Sequence, residues 1–136
     1  MWVRYALYAM ASFSAMQLLF KQLTRMGLTA PVILLWLFGL SALLFTGHVV
    51  LARETVAVSP AALGVVAAAA LCSYVGNLYM LRSVAAAPNA GYAISIVSTH
   101  ALFVVLGSLV FFQGEMTLVK ALGAALCVAG VVLISL

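Results

Sequence analysis

Charged residues divide the chain into long apolar segments. The three longest uncharged gaps hold 27, 27 and 32 residues and run from Arg25 to Arg53, from Glu54 to Arg82 and from Arg82 to Glu115. A helix needs about 20 apolar residues to cross the hydrocarbon core of a bilayer. Each gap therefore predicts one membrane-spanning helix followed by a turn, and none is long enough for two.

Turn residues between the apolar segments predict five helices. Proline is tolerated in the first turn of a helix, and it pushes the residue before it out of the helical region. Pro31, Pro60 and Pro88 thus mark helix starts or breaks. The predicted helices cover residues 2–24, 31–52, 60–86, 89–112 and 116–136, which form one transmembrane domain spanning residues 1–136.

The amino-acid composition is typical of a protein embedded in a lipid bilayer. Apolar residues make up 68% of it and charged residues 6%, whereas soluble domains have roughly 45–50% and about 25%. The mean hydropathy is +1.31. These values exclude a soluble domain and a disordered chain, and they predict an all-α, multi-pass integral membrane protein of the cell (inner) membrane, with the lipid bilayer as its main partner.

The N-terminal segment has a second interpretation. Arg4, the apolar run after it and the small residues Ala11 and Ala15 imitate a cleaved signal peptide. However, the apolar run continues to Lys21, beyond any such cleavage point, and this favours a retained spanning helix.

The six cations are scattered singly along the chain. A surface that binds nucleic acid needs clustered cations, so no nucleic-acid partner is expected.

If the five helices alternate in direction, three cations fall on each side of the membrane: Arg4, Arg53 and Lys120 on one, and Lys21, Arg25 and Arg82 on the other. The positive-inside rule then gives no preference, which predicts dual topology. If Lys21 and Arg82 are discounted as intrahelical, a small preference for a cytoplasmic N-terminus remains.

Polar residues form stripes on three of the predicted helices. Polar side chains in hydrocarbon are costly, and they usually face a partner or a water-filled cavity. Interhelical hydrogen bonding is the simpler explanation for any single one. Taken together, the stripes predict a substrate-binding cavity lined by the first, third and fourth helices, with these candidate residues: Gln17, Lys21, Tyr74, Asn77, Tyr92, Ser95, Thr99 and His100.

Enzymatic chemistry is not expected. The sequence contains no phosphate-binding loop, zinc-protease or serine-hydrolase motif, and its two carboxylates, Glu54 and Glu115, lie at predicted helix ends. Cys72 and Cys127 show no metal-ligand spacing, so no cofactor or metal is predicted.

Three runs resemble a known superfamily. They are Ala87-Pro88-Asn89-Ala90-Gly91-Tyr92-Ala93-Ile94, Phe111-Phe112-Gln113-Gly114-Glu115 and the glycine-containing segment 122–131. Together they resemble the drug/metabolite transporter superfamily, and the five-helix count resembles a single EamA-type repeat. The last two helices are also similar to the small multidrug resistance proteins, where Gly123 and Gly130 match a recurrent seven-residue spacing.

The resemblance implies a secondary transporter of a small polar or amphipathic metabolite, working by alternating access as a ten-helix homodimer. Gly123 and Gly130 then become candidates for dimer packing. Two alternatives remain: a flippase for a lipid-linked sugar, and a non-transporting accessory subunit. One departure is clear, because small multidrug resistance exporters carry a glutamate in the first helix where this chain has Phe13 or its neighbours. Proton exchange on that carboxylate is therefore not expected.

Overall fold

The computed structural model describes residues 2–111 and 117–135. Within them the secondary structure is helical with short connections and no strand, which confirms the predicted all-α class. The helices are α1 (Trp2–Arg25), α2 (Ala30–Ala52), α3 (Pro60–Ala86), α4 (Ala90–Ser98), α5 (His100–Phe111) and α6 (Leu118–Ser135). The turn predicted at residues 113–115 and the helix ends predicted at 112, 116 and 136 lie outside the described residues.

A residue in the left-handed backbone conformation follows each of the first two helices. Gly27, just after α1, has a φ of 84°, and its N–H donates to the carbonyl of Thr24 at 3.1 Å. Arg53 follows α2 with a φ of 54°, and its N–H donates to the carbonyl of Val50 at 3.2 Å. Such closures satisfy carbonyls that have no partner within the last helical turn.

Side-chain caps begin α3 and α4. The Ser59 hydroxyl accepts from the N–H of Ala62 at 3.3 Å, directly before Pro60. The Asn89 side-chain oxygen accepts from the N–H of Gly91 at 2.8 Å. Each cap contributes about 1 kcal/mol to helix stability, which explains why these two starts coincide with the turn residues of the sequence.

The chain divides into two compact units, the first ending at Ala85 and the second beginning at Ala86. In the first unit α1 packs against α2, and one apolar cluster joins α1, α2 and the last turns of α3. Its buried members are Phe20, Ala30, Ile33, Leu34 and Leu81. In the second unit α4 packs against α6, and the small residues Ala90 and Ala93 of α4 are buried.

Three apolar segments are long enough to cross a membrane: Ala30–Ala52, Pro60–Ala86 and Ala90–Phe111. The apolar stretch of α6, Leu118–Ile134, is shorter. Helix α1 has 24 residues but contains Arg4, Lys21 and Arg25, and it does not reach the same apolar character. The structure thus supports a multi-pass membrane protein with three clear spanning segments among the described residues, where the sequence predicted five.

The fourth predicted helix is not continuous. The sequence predicted one helix over residues 89–112, whereas the structure ends α4 at Ser98 and begins α5 at His100. Neither proline nor glycine stands at the break. Its cause lies in side-chain hydrogen bonds to the helix backbone, which are described below.

Candidate functional site

The break between α4 and α5 is a tightening of the helix at Thr99. The Thr99 N–H donates to the carbonyl of Ile96 at 3.2 Å, and the Leu102 N–H donates to the carbonyl of Thr99 at 2.9 Å. Both bonds span three residues instead of the four of an α-helix. Thr99 keeps right-handed backbone angles, with φ −63° and ψ −14°, so the backbone remains helical in hand through the break.

Four polar side chains within six residues compete for the backbone carbonyls at this break. The Thr99 hydroxyl donates to the carbonyl of Ile96 at 2.6 Å, and Nδ1 of His100 lies 2.8 Å from the carbonyl of Val97. The hydroxyls of Ser95 and Ser98 donate to carbonyls four residues earlier, at 2.8 Å each. Side chains bonded in this way bend helices and weaken the regular ladder.

A cleft of about 530 Å³ lies beside the break, between α4 and α5 on one side and α6 on the other. This volume falls within the range of small-molecule sites, roughly 300–1,000 Å³. Its walls are largely apolar, and its polar lining residues are Ser95, Ser98, Thr99 and Lys120. The structure therefore brings together two predicted site residues, Ser95 and Thr99, with two that the sequence analysis did not select.

Tyr92 and His100, the other predicted residues of this unit, do not line the cleft. Tyr92 is 49% exposed, and the His100 side chain is exposed. Lys120 could have been found from spacing, because residues 120, 124, 127, 128, 131 and 134 of α6 all line the cleft and follow one helical face.

In the first unit, Gln17 and Lys21 contact α3 one turn apart. The Gln17 amide Nε2 donates to Sδ of Met80 at 3.4 Å. The Lys21 ammonium donates to the carbonyls of Val84 at 2.9 Å and Ala85 at 3.1 Å. The two contacts advance together along both helices, so α1 and α3 run parallel in this unit.

Lys21 acts as a cap for the C-terminus of α3. The last four carbonyls of a helix have no intrahelical donor, and they carry the negative end of the helix dipole, which favours a cation. The half-buried Lys21 supplies that cation from α1. This contact gives Lys21 a structural role; the predicted role of Lys21 in substrate binding stays a prediction.

Gln17 has one unsatisfied polar atom. Its Oε1 is buried and has no hydrogen-bond partner among the described residues. A buried carbonyl oxygen without a donor costs about 1–3 kcal/mol, so a water molecule or a ligand would bind there favourably.

Tyr74 and Asn77, the remaining predicted residues, are differently placed on α3. The Asn77 amide donates to the carbonyl of Ser73 at 2.8 Å and to its hydroxyl at 3.1 Å, so it bonds within its own helix. Tyr74 lines a second cleft, of about 510 Å³, between α2 and α3. It remains 62% exposed.

The two glycines predicted for dimer packing lie on α6. A Cβ atom added at Gly123 or at Gly130 would meet nothing within 4 Å, so neither glycine is needed for a close approach among the described residues. Gly130 also lines the cleft beside the break. The role of both in dimer packing stays a prediction.

In comparisons with known protein families, with curated proteins and with solved structures, this chain matches none. The resemblance to drug/metabolite transporters therefore rests on the sequence motifs themselves.

Proposed function

We propose that this chain is one five-helix repeat of a secondary transporter of the cell membrane. Two copies form a ten-helix homodimer that moves a small polar or amphipathic metabolite by alternating access. The observation that carries the proposal is the break at Thr99, inside the apolar segment Ala90–Phe111 and beside an open cleft. At membrane depth, a broken helix is tolerated where it is buried in protein or lines a cavity, and transporter sites are often built from such helices.

The chemistry of the cleft supports a cargo with an apolar body and a polar end. The hydroxyls of Ser95, Ser98 and Thr99 donate to their own helix, so their oxygens offer lone pairs as acceptors. Lys120 adds a cationic donor. The rest of the lining is aliphatic apart from Cys127, which favours burial of an apolar body.

The five-span count in this proposal includes α1 and α6. The 24 residues of α1 extend about 36 Å at 1.5 Å per residue, which is enough to cross a bilayer. Arg4 and Arg25 lie near its ends, where cations are tolerated at the interface. The third cation, Lys21, is neutralised in part by the carbonyls of α3.

The homodimer in this proposal accounts for the exposed apolar surface. Large apolar side chains on α2, α3 and α6 are more than half exposed, for example Leu44, Leu71 and Leu126. Lipid covers part of such a surface, and a second copy of the chain would cover the remainder. Gly123 and Gly130 offer a flat strip on α6 for close contact.

A lipid-linked sugar is the second candidate cargo. The largely aliphatic lining of the cleft favours it, because such a lining suits a hydrocarbon chain better than a small hydrophilic solute. This candidate keeps the fold and the alternating-access mechanism and changes only the cargo.

The test is a thermal-shift screen of solutes and lipid-linked sugars on the detergent-purified protein, followed by flux measurements in proteoliposomes. A ligand at 100 times its dissociation constant stabilises the protein by about 2.7 kcal/mol. For the compound identified in the screen, Thr99→Val should weaken binding about 3- to 18-fold, because one hydroxyl contact in a membrane protein contributes roughly 0.6–1.7 kcal/mol.

Ser108→Ala is the matched control. It removes a similar hydroxyl, bonded to the carbonyl of Val105 at 2.8 Å in α5, which does not line the cleft. Binding should be unchanged in this variant. Equal losses in both variants would contradict a site at the break. If no compound is transported and the chain forms a stable complex with a larger membrane protein, the transport proposal is wrong and the chain is an accessory subunit.

A further inference from the structure

The contact between His100 and the backbone fixes the tautomer of the imidazole. Its Nδ1 lies 2.8 Å from the carbonyl oxygen of Val97. A carbonyl oxygen only accepts hydrogen bonds, so Nδ1 carries the hydrogen and donates it. In the neutral ring the other nitrogen, Nε2, therefore bears a lone pair and no hydrogen.

That lone pair lies at the middle of an apolar segment. His100 is the eleventh residue of the 22-residue segment Ala90–Phe111, and its side chain is exposed. Among the described residues, nothing forms a hydrogen bond with Nε2. Ionisable groups at this depth are costly and usually functional, and imidazole is the side chain whose charge changes closest to physiological pH.

We propose that Nε2 of His100 is the position at which this protein takes up and releases a proton during transport. The proton adds to the Nε2 lone pair to give an imidazolium, and it leaves from the same atom. Nδ1 keeps its hydrogen in both states, so the bond to the Val97 carbonyl persists. The imidazole thus changes its charge without losing its hydrogen bond to the Val97 carbonyl, which lies at the break between α4 and α5.

Among the described residues of the second unit, this charge has no carboxylate counter-ion. The titratable groups on the helices of the second unit are Tyr92 on α4 and Lys120 and Cys127 on α6, with none besides His100 on α5. None forms a hydrogen bond with the imidazole, and no described residue of this unit carries a carboxylate. An imidazolium without a counter-ion is stable only while water reaches it. Uptake of the proton at His100 therefore requires that water reach the ring.

The first experiment measures the tautomer directly. The chain has two histidines, His48 and His100, so a His48→Gln variant labelled with ¹⁵N-histidine reports His100 alone. Imidazole ¹⁵N spectra in lipid should show Nδ1 protonated and Nε2 bare at high pH, with Nε2 gaining a proton as the pH falls. A neutral ring with its hydrogen on Nε2, or a ring that does not titrate between about pH 5 and 9, would overturn the proposal.

The second experiment compares two substitutions. In His100→Asn the amide nitrogen takes the place of Nδ1 and still donates to the Val97 carbonyl, but it cannot titrate. This variant should melt within about 1 °C of the parent and should lose the pH dependence of solute uptake. In His100→Leu both the hydrogen bond to the Val97 carbonyl and the proton-accepting nitrogen are lost, so the melting temperature should fall as well.

The inference rests on the proposed transport function, but the two can fail separately. If Nε2 titrates as expected while no solute or lipid-linked sugar is moved, the transport proposal fails and the proton-binding position stands. If uptake occurs and His100→Asn keeps the pH dependence of the parent, proton coupling at His100 is wrong and transport stands.

Discussion

Removal of the Lys21 ammonium tests whether α1 caps α3. Lys21→Met keeps the length and the apolar stem of the side chain, but it removes the donor to the carbonyls of Val84 and Ala85. We expect a lower stability of the first unit, because two terminal carbonyls lose a charged partner and the negative end of the α3 dipole is left uncompensated.

The size of the loss follows from the two contacts. A hydrogen bond to a charged group contributes about 1.5–3 kcal/mol in soluble proteins, whereas side-chain bonds in membrane helices average about 0.6 kcal/mol. Lys21 is half-buried, so solvent screening places each bond near about 1 kcal/mol. The two together contribute about 2 kcal/mol, which corresponds to a fall of roughly 5–10 °C in melting temperature.

Thermal unfolding of the purified protein in one detergent measures this loss. Lys21→Arg keeps the charge and several donors, so it should retain most of the stability. Arg25→Met is the matched control, because it removes a cation one turn further along α1 from an exposed position with no hydrogen bond to α3. It should melt close to the parent.

A Lys21→Met protein that melts like Arg25→Met would refute the capping role. The sequence-based hypothesis of substrate binding makes the opposite forecast for the same variants. It requires unchanged melting temperatures and a weaker affinity for the transported solute in Lys21→Met. The two measurements therefore separate a structural lysine from a substrate-binding lysine.

Three further predictions address other features. Gln17→Met removes the buried unsatisfied Oε1 together with the weak bond from Nε2 to Sδ of Met80, so the free energy of unfolding should stay unchanged or rise by up to about 1 kcal/mol; a loss larger than about 1 kcal/mol, more than the bond to Met80 contributes, would contradict an unsatisfied Oε1. Gly130→Leu should convert the dimer to a monomer in native mass measurements, because space exists for the side chain within the described part of the protomer; an unchanged dimer would leave Gly130 without a role in assembly. If the five helices alternate in direction, three cations fall on each side of the membrane, so reporter fusions at the C-terminus should show both cytoplasmic and external populations; one orientation above about nine-tenths of the molecules would exclude dual topology.

Helix positions could be predicted from the sequence because apolar runs and turn residues are local signals. Ser59 and Asn89 cap the helices that follow them, and residue types at such positions carry this information directly. The break at Thr99 could not be predicted in the same way. It depends on side chains that bond to carbonyls of their own helix, and no breaker residue marks the position.

The candidate site was predicted only in part, because a stripe of polar residues does not reveal what each residue contacts. The sequence placed Gln17 and Lys21 on one face, but their partners on α3 depend on the register between two distant helices. Asn77 bonds within its own helix, and such local satisfaction removes the reason to face a cavity. Lys120 was missed because a cation near a helix start is usually interpreted as an interfacial charge.

The parallel register of α1 and α3 has a consequence for synthesis of the protein. Lys21 and the Val84 carbonyl are 63 residues apart, and ribosomes add about 5–20 residues per second, so roughly 3–13 seconds pass between the two. During that interval the ammonium of α1 has no α3 carbonyl to bind, and a charge without a partner favours water over an apolar environment. The ammonium of α1 therefore gains its partner only after α3 has been made, so the contact between these two helices forms late in the synthesis of the first unit.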